Sequence, residues 1–176
     1  MVKHLKSWQE SNVILGIEEF KILWREYRAV LEYNEPFPML ENISPYSWGR
    51  LESTLGAVNY RDGYGGYRYT PGTVATAAYL CFVNKGHCLD NGNKRASLLS
   101  AIAYLTLNNM FIEVEWKGLY DLAKLIANSS RSIEEEIPIV AKIIDPYIVP
   151  YDESLKRSLI ASAMVWYVRS METGGW

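Results

Sequence analysis

The stretch "TPGTVATAAYLCFVNKGHCLDNGNKRASLLSAIAYLTLNN", residues 70–109, decides the fold class. Its two halves are long, apolar and rich in alanine and leucine, and a short polar run, His87 to Arg95, stands between them. Alanine and leucine favour helix, and both halves are longer than a typical strand. Thr70-Pro71 is a helix-start signal for the first half, which carries Val74, Ala78 and Cys81 on one stripe. In the second half Leu98, Ile102 and Leu105 form a stripe, and Asn108-Asn109 is the expected stop. The pattern predicts two core helices joined by a polar connection.

Working outward, residues 17–33 place Phe20, Leu23, Trp24, Tyr27, Val30 and Leu31 at three- and four-residue spacings, an amphipathic helix that "NEPFP" ends. Ser44 with Pro45 behind it is an N-cap and first helical position. "NYRDGYGGYRYTPG", residues 59–72, fits a flap or hairpin, because glycines supply the turn and tyrosines favour extended backbone. "MFIEVEW" suits a short extended connection, and "GLYDLAKLIANSS" and "SIEEEIPIVAKII" read as two more helices. Ser132 and Glu135 make a capping box for the second of these. Asp152 would cap a final helix over "ESLKRSLIASAMVWYVRSME". The expectation is an all-α fold, a compact bundle of six to eight helices with one Gly/Tyr-rich excursion, in a single domain over residues 1–176.

Composition narrows the function classes. Apolar residues are 49% and charged residues 22%, which fits a globular chain rather than a disordered one. A net charge of −2 supplies no overall field for nucleic acid, so no nucleic-acid partner is expected. Two cysteines, Cys81 and Cys88, form no disulfide framework and suit a reducing compartment. The first twelve residues have no signal-peptide apolar core, and the longest apolar runs fall short of the roughly 20 residues that span a bilayer. A cytoplasmic protein with no membrane partner is expected.

The polar run carries the chemistry. Gly86-His87 ends one helix and Asn91-Gly92-Asn93 begins the next, so backbone amides at that helix start offer an anion site. Lys94 and Arg95 in the first turn oppose the helix dipole, and are either solvated or compensated by a bound anion. His87 suits a general base near neutral pH. On its own, "GNKR" at a helix start is more often a polar turn than a site.

"H-C-L-D-N-G-N-K-R" resembles the signature of the Fic/Doc family, H-x-F-x-[D/E]-[G/A]-N-[G/K]-R, and most of all its Doc (death-on-curing) branch, which has N-K-R. "GRLESTL" at 49–55, "YGGYRYTP" at 64–71 and "ASLLSAIAYLTLNN" also resemble Doc segments in order and spacing, so the likeness covers about residues 44–115. The resemblance implies a Fic/Doc-type helical bundle with a short β-hairpin-like flap. It implies that His87 deprotonates a target hydroxyl, that Gly92 and Asn93 hold phosphate through amides and side chain, and that Arg95 pairs with phosphate oxygens. It further implies ATP as co-substrate with Mg²⁺, and target docking by strand addition on the flap, Tyr64, Gly65, Gly66, Tyr67 and Arg68. Lys94 in place of glycine, and Leu98 in place of a second arginine, favour γ-phosphoryl transfer over AMPylation. The family's metal-binding acid is replaced by Asn91, a neutral ligand, with Asp90 beside it as the alternative. Leu89 replaces a phenylalanine that anchors the loop.

Three readings follow from the resemblance and the residues. One is a Doc-like toxin-type transferase acting on a cytosolic protein, a translation factor by resemblance, and restrained by a separate antitoxin protein. The self-inhibitory motif [S/T]-x-x-x-E-[G/N] is approached only by Ser130 to Glu135, which ends in glutamate. The second is a nucleotide- or partner-binding module weakened catalytically by Asn91. A nuclease using His87, Lys94 and Arg95 is the weaker third, lacking a second acid–base residue. Cys88 beside His87 suggests a thiol nucleophile or zinc, but with four Cys and His residues in all and His4 remote, zinc is disfavoured. Cys81, Trp166 and Tyr167 read as core, and Glu134–Glu136 as a solvated helix start.

Overall fold

A computed structural model describes residues 12–31, 42–159 and 161, with side chains described for 12–25, 42–159 and 161. The chain is mostly helical, with one small two-stranded antiparallel sheet among the described residues. In chain order the elements are α1 (Ile17–Leu31), α2 (Pro45–Asn59), α3 (Thr73–Lys85), α4 (Asn93–Leu107), β1 (Met110–Ile112), α5 (Trp116–Asn128), α6 (Ile133–Ile144) and β2 (Ile148–Pro150). A further helical run covers 153–159.

Local chemistry sets most boundaries. The Ser44 hydroxyl accepts from Ser47 N at 3.1 Å to start α2. Ser132 and Glu135 form both bonds of the expected capping box at α6, and the Ser132 amide and hydroxyl hold the Glu135 carboxyl below its ordinary pKa. Asp152 accepts from Ser154 N at 2.7 Å ahead of the 153–159 run. The first helix of the central pair begins later than Thr70-Pro71 suggests. Its N-cap is Gly72 at φ 99°, a backbone that side chains rarely tolerate.

α3 and α4 form the centre, since α3 packs against α2, α4, α5 and α6, and α4 also against α1 and β1. Ala75, Ala77, Ala78, Ala96, Ala101 and Ala103 are buried along them, and small side chains let helices approach closely. The rings of Tyr79 and Tyr104 meet 4.9 Å apart between them. Burial runs almost all the way round both helices, so the single stripes expected from sequence are too narrow, and Val74 is exposed rather than core. "MFI" pairs with "IVP" in register Met110↔Pro150, Phe111↔Val149 and Ile112↔Ile148, a pairing the sequence does not announce. Trp166 and Tyr167 lie outside the described residues.

A strap over 12–15 is tied to the core by hydrogen bonds. The Tyr79 hydroxyl accepts from the buried Leu15 N at 3.1 Å and donates to Asn59 Oδ1, while Asn59 Nδ2 donates to Leu15 O at 2.9 Å. Tyr79→Phe strands the Leu15 amide, a loss of about 1–3 kcal/mol. Thermal unfolding should fall by roughly 3–10 °C; an unchanged melting temperature would show the strap to be dispensable.

Candidate functional site

The polar loop 86–92 joins the C-terminus of α3 to the N-terminus of α4. Gly86 is the C-cap and its N–H returns to Phe82 O at 2.8 Å. A Cβ at Gly86 would stand 2.5 Å from that same carbonyl oxygen and 3.3 Å from Cys88 Sγ, so only glycine fits. His87 follows at φ 46°, in the left-handed region where a helix exit ordinarily places glycine, and it is exposed. A histidine held in that conformation costs energy that a buried packing role does not explain, and such outliers collect at functional sites.

The rest of the loop is tied to its surroundings. Leu89 is buried, as expected of the anchor position. Asn93 spends its side-chain amide on that anchor: Oδ1 accepts from Leu89 N at 2.9 Å and Nδ2 donates to Leu89 O at 2.7 Å. Gly92 is left-handed at φ 88° and caps α4 without a side-chain acceptor. Lys94 and Arg95 stand half-buried in the first turn of α4, where the amides and the dipole point at the loop. His87 and the α4 N-terminus are thus the two ends of one pinned turn. Asn93 therefore ties the start of α4 to the Leu89 anchor.

Cys88 is fully buried, and its thiol donates to Thr54 Oγ1 at 3.2 Å. Burial raises its pKa, and burial with the nearby Glu136 carboxylate pushes Cys81 up to about 12. Neither is a nucleophile at neutral pH. Iodoacetamide at pH 7.5 should leave both unmodified in the native chain and alkylate both after unfolding, as intact-mass measurement reports. Rapid native alkylation of Cys88 would return it to the list of reactive groups.

Residues 60–69 form the expected hairpin. Arg61 and Tyr67 bridge antiparallel, and Arg68 N donates to Tyr60 O at 3.0 Å. Asp62 Oδ1 accepts from Tyr64 N at 3.0 Å and Gly66 N at 2.7 Å, and Gly65 turns at φ 82°. Tyr64 at the tip is fully exposed. The base is latched to α6: Arg68 Nη2 lies 2.7 Å and Tyr69 Oη 2.8 Å from Glu134 Oε1. Glu134 is therefore more than a solvated helix start. Tyr69 also meets the ring of Phe82, 5.8 Å away and one turn before Gly86, which sets the hairpin base beside the loop. A cavity of about 360 Å³ is lined by Tyr60, Asp62 and Arg68.

Comparison with protein-family models, with curated proteins and with solved structures finds no match.

Asp90 and Asn91 are both exposed on the loop, and no group of three His, Cys, Asp or Glu side chains that could hold a metal occurs among the described residues. The donors fit Mg²⁺ only in the manner of an ion carried in by a nucleotide, with one carboxylate or carbonyl from protein and the rest from phosphate and water. No helix among the described residues is long and apolar enough to cross a membrane.

His87 and Gly92, singled out by the motif, lie on the loop, and Asn93, Lys94 and Arg95 lie in the first turn of α4. Arg50 and Thr54, which the motif does not include, reach the same loop from α2: Arg50 Nη2 donates to Gly86 O at 3.0 Å. Nothing in the spacing of "GRLESTL" signals this, because the contact is made 36 residues away.

Proposed function

We propose that the protein is a Doc-type transferase of the Fic/Doc family that moves the γ-phosphoryl group of ATP to a hydroxyl side chain of a protein. The observation that carries this reading is His87, exposed in a left-handed backbone at one end of a pinned turn whose other end is a glycine-led helix N-terminus with Lys94 and Arg95. His87 accepts the proton of the target hydroxyl as its oxygen bonds to the γ-phosphorus. The bond from that phosphorus to the β–γ bridging oxygen breaks, and ADP leaves. The α4 amides and Arg95 receive phosphate oxygens, and Lys94 adds a point charge that crowds the position glycine occupies in AMPylating relatives. Asp90 and Asn91 are the residues that would hold Mg²⁺, which neutralises phosphate charge when bound. The hairpin, Tyr64 to Arg68, offers strand edge to the target. A cytosolic target such as a translation factor, a cytoplasmic location and a separate antitoxin belong to the same reading.

The neutral Asn91 favours a second reading, a nucleotide- or partner-binding module of weak activity. Parallel incubations with γ- and α-labelled ATP, Mg²⁺ and a cell lysate separate them. Protein labelled from γ alone supports phosphotransfer, label from α supports AMPylation, and no label from either supports the binding module. Asn91→Asp restores a carboxylate and is expected to raise label transfer about tenfold or more, and to tighten Mg²⁺-dependent ATP binding measured by calorimetry. A variant no faster than wild type would remove Asn91 as the limiting position.

A further inference from the structure

We infer that Arg50 and Thr54, one turn apart on α2, are positioning residues that clamp the two neighbours of His87, Gly86 by its carbonyl and Cys88 by its thiol. The inference rests on the proposed role of His87 as the proton acceptor. On the upstream side the Arg50 guanidinium donates to Gly86 O at 3.0 Å. On the downstream side the Thr54 hydroxyl accepts from Cys88 Sγ at 3.2 Å and donates to Arg50 O at 2.8 Å, which links the two arms of the clamp. The Tyr46 ring lies 5.7 Å from the Arg50 guanidinium, one turn earlier on the same helix.

The clamp answers a physical need. A non-glycine residue in the left-handed region persists only where its surroundings over-determine it. His87 itself is exposed, so its own side chain does not supply that constraint. Gly86 cannot be exchanged for a stiffer residue, since any Cβ meets Phe82 O. The constraint is delivered instead from a neighbouring helix, through the carbonyl before and the thiol after the histidine. A cation on the last carbonyls of α3 also complements the negative end of that helix. Catalytic groups displaced by about 1 Å lose rate steeply, so a loosened turn should cost turnover rather than nucleotide affinity.

The test uses the full chain carrying His4→Gln, which leaves His87 as its sole histidine. Label transfer from γ-labelled ATP into lysate protein is followed at increasing ATP with Mg²⁺. Arg50→Met is expected to lower the maximal rate at least tenfold, with half-saturating ATP within threefold of wild type. Arg50→Lys, which keeps one donor and the charge, should recover a third or more of the rate. Thr54→Val, close in shape, should lower it two- to fivefold, and serves if Arg50→Met folds poorly. A wild-type rate in Arg50→Met, or equal losses of rate and ATP affinity, overturns the clamp. Absence of label in wild type would count against the transferase reading instead, and the His87 imidazole NMR signals would then decide the clamp. They should be single and sharp in the parent, shifted or doubled in Arg50→Met and restored in Arg50→Lys; identical spectra in all three overturn it.

Discussion

His87→Ala should lower γ-label transfer by about 10²- to 10⁴-fold, the ordinary contribution of a positioned general base. His87→Gly should do the same and yet raise stability, and the pair of outcomes is more telling than either alone. The left-handed backbone at φ 46° costs a side-chain-bearing residue about 1–2 kcal/mol. Glycine relieves that strain but gives back about 0.5–1 kcal/mol in unfolded-chain entropy. The net gain of about 0.5–1 kcal/mol corresponds to a melting temperature higher by roughly 1–4 °C. A residue kept for packing would show the reverse, loss of stability with no chemical penalty. A residue kept for chemistry at a cost in stability shows this trade-off. Half-saturating ATP should stay within about threefold, because the proposed mechanism receives phosphate at α4 rather than at the imidazole. The proposal fails if His87→Gly both melts higher and transfers label at the wild-type rate.

How much of this was legible beforehand depends on how local the chemistry is. The Ser44 cap, the Ser132–Glu135 box and the Asn108 stop involve residues within one turn of each other, and the structure forms all three. The hairpin at 60–69 was legible for the same reason, since Asp62, Gly65 and Gly66 close it by themselves. The central helices were legible as helices but not in their burial. A stripe reading assumes that one face meets solvent, and α3 and α4 are covered nearly all round, so Val74 is misplaced and Asn84 lies buried among their neighbours. The sheet was out of reach because each strand is three residues long and the partners lie nearly forty residues apart. A period of two cannot be read from three residues. The site shows the same division. The turn from His87 to Arg95 is contiguous and announces itself, whereas the Glu134 latch on the hairpin and the Arg50 contact exist only once α6 and α2 are packed.

Asn93 is the loop residue most firmly tied to the backbone, and its substitution should have the largest effect on stability. The resemblance gives its side chain to phosphate, but here both polar atoms are committed to the backbone of Leu89. Asn93→Ala leaves a donor and an acceptor of a buried residue without these partners, at about 1–3 kcal/mol for each group that stays dry. A total of about 2–4 kcal/mol lowers the melting temperature by roughly 5–15 °C in the absence of any nucleotide. Hydrogen exchange should quicken at Leu89 and in the first turn of α4 while the centre of α3 stays protected, since openings are local before they are global. Asn93→Asp sharpens the point. It preserves the acceptor for Leu89 N and places a favourable negative charge at a helix N-terminus, yet sets a carboxylate oxygen against Leu89 O where Nδ2 donated. Loss of that bond and the repulsion that replaces it outweigh the dipole term, so this variant should also melt lower than wild type. Were the side chain held for phosphate instead, Asn93→Ala would melt like wild type without ATP and lose only the stabilisation that ATP confers. The melting curves with and without ATP therefore separate a residue that builds the turn from one that touches the phosphate.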